Sequence, residues 1–162
     1  MRRTQGSTGA WSTPVLTPVI RAFTTNVMAG YSGTPLWKKL GHKAGTASHV
    51  DCAPGGYLRL LALPAGREVE WLVRPRAGMK FVHVFATAAS RLKAKLESHR
   101  RKIAPDGVLS ASWPKRSSGV ATDITEDVIR DLALPIGLGE IKVCAVDEVW
   151  SGLKLMIRKE LR

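Results

Sequence analysis

The sequence predicts an α/β domain built on a mostly parallel sheet that ends in an antiparallel hairpin. Three observations predict it. Short β-branched and aromatic runs alternate with helical segments from about residue 34 onward, an order that suits parallel strands joined by right-handed crossovers. Phe81-Val82-His83-Val84-Phe85-Ala86 is a continuous apolar run of the kind buried on both faces of a parallel sheet. Residues 141–158 read as two strands with no helix between them.

Each element has its own local signal. Thr34-Pro35-Leu36-Trp37-Lys38-Lys39-Leu40-Gly41 predicts a short helix, with Thr34 as cap, Pro35 in the first turn and Gly41 at the end. A strand is expected over Ala47 to Ala53, then a tight turn at Pro54-Gly55-Gly56-Tyr57 and an apolar helix over 57–63, stopped by Pro64 and Gly66. Val69 to Val73 reads as a second strand. The six residues that follow, Arg74 to Met79, are too few for an easy crossover, so that strand is expected to be short, displaced or antiparallel. A helix follows over 88–103, ended by Pro105-Asp106-Gly107, and then a strand over Val108 to Trp113. Asp123-x-x-Glu126 resembles a capping box at the start of the next helix, on which Ile124, Val128 and Leu132 recur every four residues. Leu134-Pro135-Ile136-Gly137 ends it. The hairpin is expected to turn at Trp150-Ser151-Gly152, between strands 141–149 and 153–158.

The chain has 162 residues, 44% of them hydrophobic, which suits a domain with a sizeable core. No apolar run reaches the length of a membrane span, so a soluble protein is expected. Lys+Arg 25 against Asp+Glu 13 gives a net charge of +12, which favours acidic partners such as nucleic acid or phosphorylated ligands over a neutral one. The plain alternative is a solvated basic surface. Residues 1–27 hold Arg2, Arg3 and Arg21 but no acid, and read as a leader or upstream read-through before a domain over 28–162. Without those three arginines the chain still carries 22 Lys+Arg against 13 acids. Cys52 and Cys144 form no C-x-x-C and fall in expected strands, so buried free thiols and a reducing cytoplasm are expected.

Two long motifs carry a resemblance. The first is Trp113-Pro114-Lys115…Ser118-Gly119…Thr122-Asp123…Thr125-Glu126-Asp127, and the second is Asp147-Glu148-Val149-Trp150-Ser151-Gly152. With Gly30-Tyr31-Ser32-Gly33-Thr34-Pro35-Leu36 and Lys38-Lys39-Leu40-Gly41, they resemble a bacterial family of uncharacterised proteins, the domain of unknown function three thousand and fifty-two. The resemblance runs from about Met28 to Arg162. It implies no established activity and therefore no catalytic residues. The order of strand, basic loop, capped helix and hairpin also resembles the C-terminal half of a methyltransferase sheet, which implies a reduced Rossmann-like, methyltransferase-like fold.

Two segments are candidates for ligand contact. Pro54, Gly55, Gly56 and Tyr57 lie where nucleotide-binding folds place a glycine loop. Yet the glycines are adjacent, a proline precedes them, and Val73-Arg74-Pro75 offers no acid for ribose hydroxyls, so a structural turn competes with a cofactor loop. Trp113, Lys115, Arg116, Ser117 and Ser118 follow the C-terminal end of their strand and supply an aromatic face, two cations and two hydroxyls. If the sheet is parallel, Thr87 joins both segments at one edge. The helix at 90–102 carries Arg91, Lys93, Lys95, Arg100, Arg101 and Lys102 against Glu97 alone, the best candidate for a phosphate backbone or an acidic protein. Asp147 and Glu148 face opposite ways and form no acid/base pair. His42, His49, His83 and His99 show no H-x-H or H-E-x-x-H spacing, so no metal site is expected.

These observations lead to an expected non-catalytic binding or regulatory protein that needs no cofactor and recognises an anionic ligand or partner at the C-terminal edge of the sheet. Two alternatives accompany it. One is a divergent S-adenosylmethionine-dependent methyltransferase-like enzyme, and the other is a nucleic-acid-associated basic protein.

Overall fold

The computed structural model describes residues 33–162. The leader at 1–27 and the Gly30-Tyr31-Ser32 turn lie outside the described residues. The elements are α1 (Leu36–Leu40), β1 (Ala47–Asp51), α2 (Tyr57–Leu61), β2 (Glu70–Leu72), β3 (Met79–Phe85), α3 (Ala89–Arg100), β4 (Ile103–Pro114), α4 (Glu126–Ala133), β5 (Leu138–Ala145) and β6 (Trp150–Ile157). No described helix is long and apolar enough to cross a membrane.

Six strands form one sheet in the order β2-β1-β3-β4-β6-β5. β2, β1, β3 and β4 run parallel, and β6 is antiparallel to both of its neighbours. The chain therefore starts inside the sheet, winds out to β2, then crosses back over β1 to wind the other way. This is the α/β architecture that the alternating pattern predicts, closed by the expected hairpin. β2 is short and parallel, pairing Ala47 with Glu70 and His49 with Leu72 at the sheet edge. Its three residues leave the connection to β3 enough reach without a helix.

Four local expectations are corrected. Pro105-Asp106-Gly107 does not separate helix from strand but lies within β4, because Met79 pairs with Ile103 and Phe81 with Val108, a wide bulge. A proline is tolerated there because the bulge needs no ladder bond from it. The hairpin does not turn at Trp150-Ser151-Gly152, which belongs to β6. Asp147 makes the turn, its Oδ1 accepting from the N–H groups of Val149 and Trp150, each at 2.7 Å. Helix α4 is capped by Thr125, whose Oγ1 accepts from Val128 N, not by Asp123. At α1 the N-cap is Pro35, with no side-chain bond from Thr34, while Gly41 ends the helix in the left-handed region as expected.

Apolar groups pack on both faces. On one, α3 and α4 cover the sheet through Leu92, Leu96 and Ile129, against Val82, Val84, Leu109, Trp113, Leu153 and Leu155. On the other, Trp37, Leu40, Tyr57 and Leu61 of α1 and α2 pack on Phe81, Phe85, Cys144 and Val146. Strand alternation sorts β1 between these layers: Val50 packs with the α1/α2 side, while His49 and Asp51 reach the α3 side. The α3 side over β1 has no second helix, because Val73 to Gly78 connects β2 directly to β3.

Candidate functional site

Parallel strands β1, β3 and β4 end at the same edge, so Pro54–Tyr57, Thr87 and Lys115–Ser118 all lie along it. One cleft of about 760 Å³ opens there, lined by Val50, Ala53, Pro54, Gly56, Tyr57, Leu58, Arg59, Trp71 and Leu72. That volume is within the range of small-molecule sites. Gly56 holds φ +82°, and a Cβ added there would meet nothing within 4 Å, so the backbone is open to the cleft.

A buried polar chain runs inward from Tyr57, away from the cleft. The Tyr57 hydroxyl lies 2.7 Å from His83 Nδ1, and His83 Nε2 lies 2.7 Å from Ser112 Oγ. A neutral imidazole satisfies both neighbours in either direction of donation. Burial, helped by the field of nearby His42, holds the His83 ring down at about 3, and burial raises the Tyr57 phenol further above its ordinary value. His83 also stacks on Phe85, with ring centroids 4.2 Å apart. Tyr57 is therefore held by the His83 bond and by edge contacts with the His83 and Phe85 rings, and with it the start of α2 beside the cleft.

The second candidate segment is placed differently. Trp113 packs in the α3/α4 core, so it presents no open aromatic face. Lys115 Nζ donates to the Asp147 carbonyl at 2.6 Å. Ser118 Oγ donates to the Lys115 carbonyl and accepts from Val120 N, while Arg116 and Ser117 are exposed. Thr87 gives its carbonyl to Thr122 Oγ1 at 2.7 Å. Gly55 is exposed beside the cleft. The cleft thus gathers Pro54, Gly56 and Tyr57, while Thr87, Trp113 and Lys115–Ser118 do not line it.

The basic helix is also partly committed inward. Lys95 pairs with Asp51, and Arg100 Nε donates to the Ile136 carbonyl at 3.1 Å. Arg91, Lys93 and Arg101 remain on the exposed surface. Cys52 is not a buried strand thiol: it is exposed just after β1 with φ +58°, whereas Cys144 is buried as expected.

One constellation has no counterpart in the sequence motifs. His49 and Asp51 on β1 meet Lys95 and His99 on α3, with Cys52 alongside, in a second cleft of about 550 Å³. Partial burial pushes the Asp51 carboxyl up, but hydrogen bonds from Lys95 and His99 outweigh it and hold it at about 2. Burial lowers the His99 ring below its ordinary value despite that bond. The legible signal is two spacings together: residues two apart share a strand face, and residues four apart share a helix face.

No family model matches the chain, and no curated protein is similar to it by sequence. Solved structures are similar in shape. A SAM-dependent methyltransferase from Aquifex aeolicus superposes with a TM-score of 0.59 at 16% identity, covering 76% of this chain and 88% of that one. Magnesium protoporphyrin IX methyltransferase from Synechocystis PCC 6803, solved with bound SAM, gives 0.53 at 10% identity over 76% and 74% of the two chains. The N-methyltransferase NodS from Bradyrhizobium japonicum gives 0.50 at 15% identity over 76% and 93%. The fold is therefore Rossmann-like and methyltransferase-like, as the order of elements predicts. The expectation of a non-catalytic, cofactor-free binding protein is corrected by this comparison, because the three similar structures named here are methyltransferases, one of them solved with bound SAM.

Proposed function

We propose that the protein is a divergent methyltransferase-like enzyme that binds S-adenosylmethionine in the cleft beside Pro54–Tyr57. The observation that carries this reading is the cleft's position. It opens over the C-terminal end of β1 with β2 at its flank, where open α/β sheets take ligands.

The residues present fit the adenosine part of the cofactor better than its ribose. Trp71, Leu72, Val50 and Leu58 form an apolar lining for a planar base, and the open backbone at Gly56 gives a ligand close approach. The end of β2 carries Val73, which is 93% exposed, and then Arg74, so no carboxylate stands there for ribose hydroxyls. The nearest acid on that strand, Glu70, is paired with Arg76 at 2.8 Å. A cofactor held without that acid binds through apolar contact and backbone groups. When bound, it supplies a methyl group on a sulfonium, an electrophile that a substrate nucleophile can attack directly. The chain's own part is to bind and orient it, with Tyr57 fixed by His83 and the apolar wall excluding water.

Calorimetric titration with S-adenosylmethionine and S-adenosylhomocysteine tests the reading. Saturable binding is expected, together with a rise in melting temperature. Leu58→Glu should weaken binding at least tenfold while leaving the fold intact, since Leu58 is 57% exposed. Absence of heat and an unchanged melting point at millimolar ligand would overturn it.

A further inference from the structure

The His49–Asp51–His99 group lies on the opposite side of β1 from the cofactor cleft and takes no part in the function proposed above. Among the described residues, their potential ligand atoms all fall within 4.8 Å of one another. His49 and His99 are buried, and Asp51 is half-buried at the wall of the second cleft.

The chemistry of each group is set. Leu72 O can only accept, so His49 Nδ1 is the donor in their 2.8 Å bond. That bond fixes the ring's tautomer and leaves Nε2 as a free lone pair, the way metal-binding histidines are usually oriented. His99 Nε2 lies 3.0 Å from Asp51 Oδ2. Two ligands on a tetrahedral ion at about 2.0–2.1 Å stand roughly 3.3 Å apart, so this pair is already near ligand spacing. Asp51 can only accept, so it holds the His99 proton on Nε2, while the buried Nδ1 of that ring has no partner among the described residues that would block a shift of tautomer. Its proton can move from Nε2 to Nδ1 and free Nε2 for a metal.

One group opposes an ion. Lys95 pairs with the other oxygen of Asp51 and lies 3.6 Å from Cys52 Sγ. Its ammonium already supplies positive charge to the carboxylate. Its side chain is a quarter exposed, however, and belongs to a flexible stem at the cleft wall, so it can leave toward solvent.

We propose that His49, Asp51 and His99 form a binding site for a divalent transition-metal ion of the zinc class, in which the ion displaces Lys95 from Asp51. Two imidazoles and a carboxylate suit zinc, cobalt or nickel better than magnesium or calcium, which prefer all-oxygen sites. Three protein ligands leave a fourth position open toward the cleft, where water or the Cys52 thiol can complete the shell. The site exists because the short β2–β3 connection brings no helix over this part of β1.

The test is titration of the full chain with Co²⁺ and Zn²⁺, free of any affinity tag. Cobalt should give visible d–d bands at one equivalent, and zinc should abolish them by competition. His49→Ala and Asp51→Asn should each weaken binding at least tenfold. Lys95→Met should tighten it, because it removes the competing cation. A purely structural polar clamp between β1 and α3 predicts no such gain. Should His49→Ala fail to fold, Lys95→Met and Asp51→Asn still decide the matter. Absence of stoichiometric binding overturns the proposal. So does binding that is indifferent to Asp51→Asn, or weakened by Lys95→Met. None of these readouts uses S-adenosylmethionine, so failure of either site is seen separately.

Discussion

The carboxylate of Asp123 accepts a hydrogen bond from the backbone N–H of Ala89, 2.7 Å away, so the loop after β4 caps helix α3. The residue at the cap position itself, Ala88, offers no side-chain bond. The cap is supplied from 34 positions down the chain. Thr122 reinforces it by donating to the Thr87 carbonyl. Asp123→Ala should therefore destabilise the protein by about 1 kcal/mol, the usual cost of losing an N-cap. The midpoint of urea unfolding should fall without a change in slope.

The Tyr57–His83–Ser112 chain gives a second prediction. Tyr57→Phe keeps the ring packing and removes only the hydroxyl, leaving the buried Nδ1 of His83 without its partner. Such an orphan costs about 1–3 kcal/mol. Because Tyr57 also lines the cleft, S-adenosylmethionine affinity should fall in the same variant. Ser112→Ala should cost similar stability with a smaller effect on binding, since Ser112 lies away from the cleft. Unfolding curves and calorimetry on the two variants check the contrast.

Acid should destabilise the fold through buried histidines. Burial depresses His42 to about 4, and burial with the field of His42 depresses His83 to about 3, against an ordinary 6.5. Below 6.5 the unfolded chain binds protons that the native chain refuses, so stability falls with pH. The contribution is fully present above pH 6.5. It is lost progressively as pH drops, through about 4 for His42 and about 3 for His83. Each unit of depression corresponds to about 1.4 kcal/mol. His42→Leu should flatten the profile between pH 6.5 and 4, as read from urea midpoints at successive pH values.

Arg130 joins α4 to β5 by reaching Glu126, Asp127 and Glu140. Those pairings raise its already high pKa and lower that of Glu140, yet the groups are partly exposed. Glu140→Gln should change stability by less than about 1 kcal/mol, and added salt should erase the difference.

Much of the architecture was legible because it rests on periodicity. Phe81 to Phe85 reads as a buried strand because every residue there is apolar or, like His83, internally satisfied. The missed details depend on distant partners. Asp123 and Glu126 have capping-box spacing, but Ala89 claims the Asp123 carboxylate and Thr125 supplies the local cap. Pro105 and Gly107 look like punctuation, and only pairing with β3 makes them a bulge. The candidate site divided in the same way. Pro54, Gly56 and Tyr57 were visible because a turn after a first strand is local. Trp113 misled because its burial under α4 cannot be read from the loop that follows it. His49, Asp51, Lys95 and His99 show no motif spacing, because half the group lies on a strand and half on a helix 44 or more positions away.

The sheet's two borders bear on how this protein behaves in a crowded solution. Exposed strand edges invite pairing with other chains. At one border β2 offers only three residues and is flanked by the Glu70–Arg76 ion pair. At the other, β5 exposes Ile141 and Val143, but its register slips between Glu140 and Lys142, and both charges stand on it. A guest strand would have to match a kinked ladder and bury those charges. The small size of β2 and the irregularity of β5 thus guard an apolar sheet against aggregation from either end.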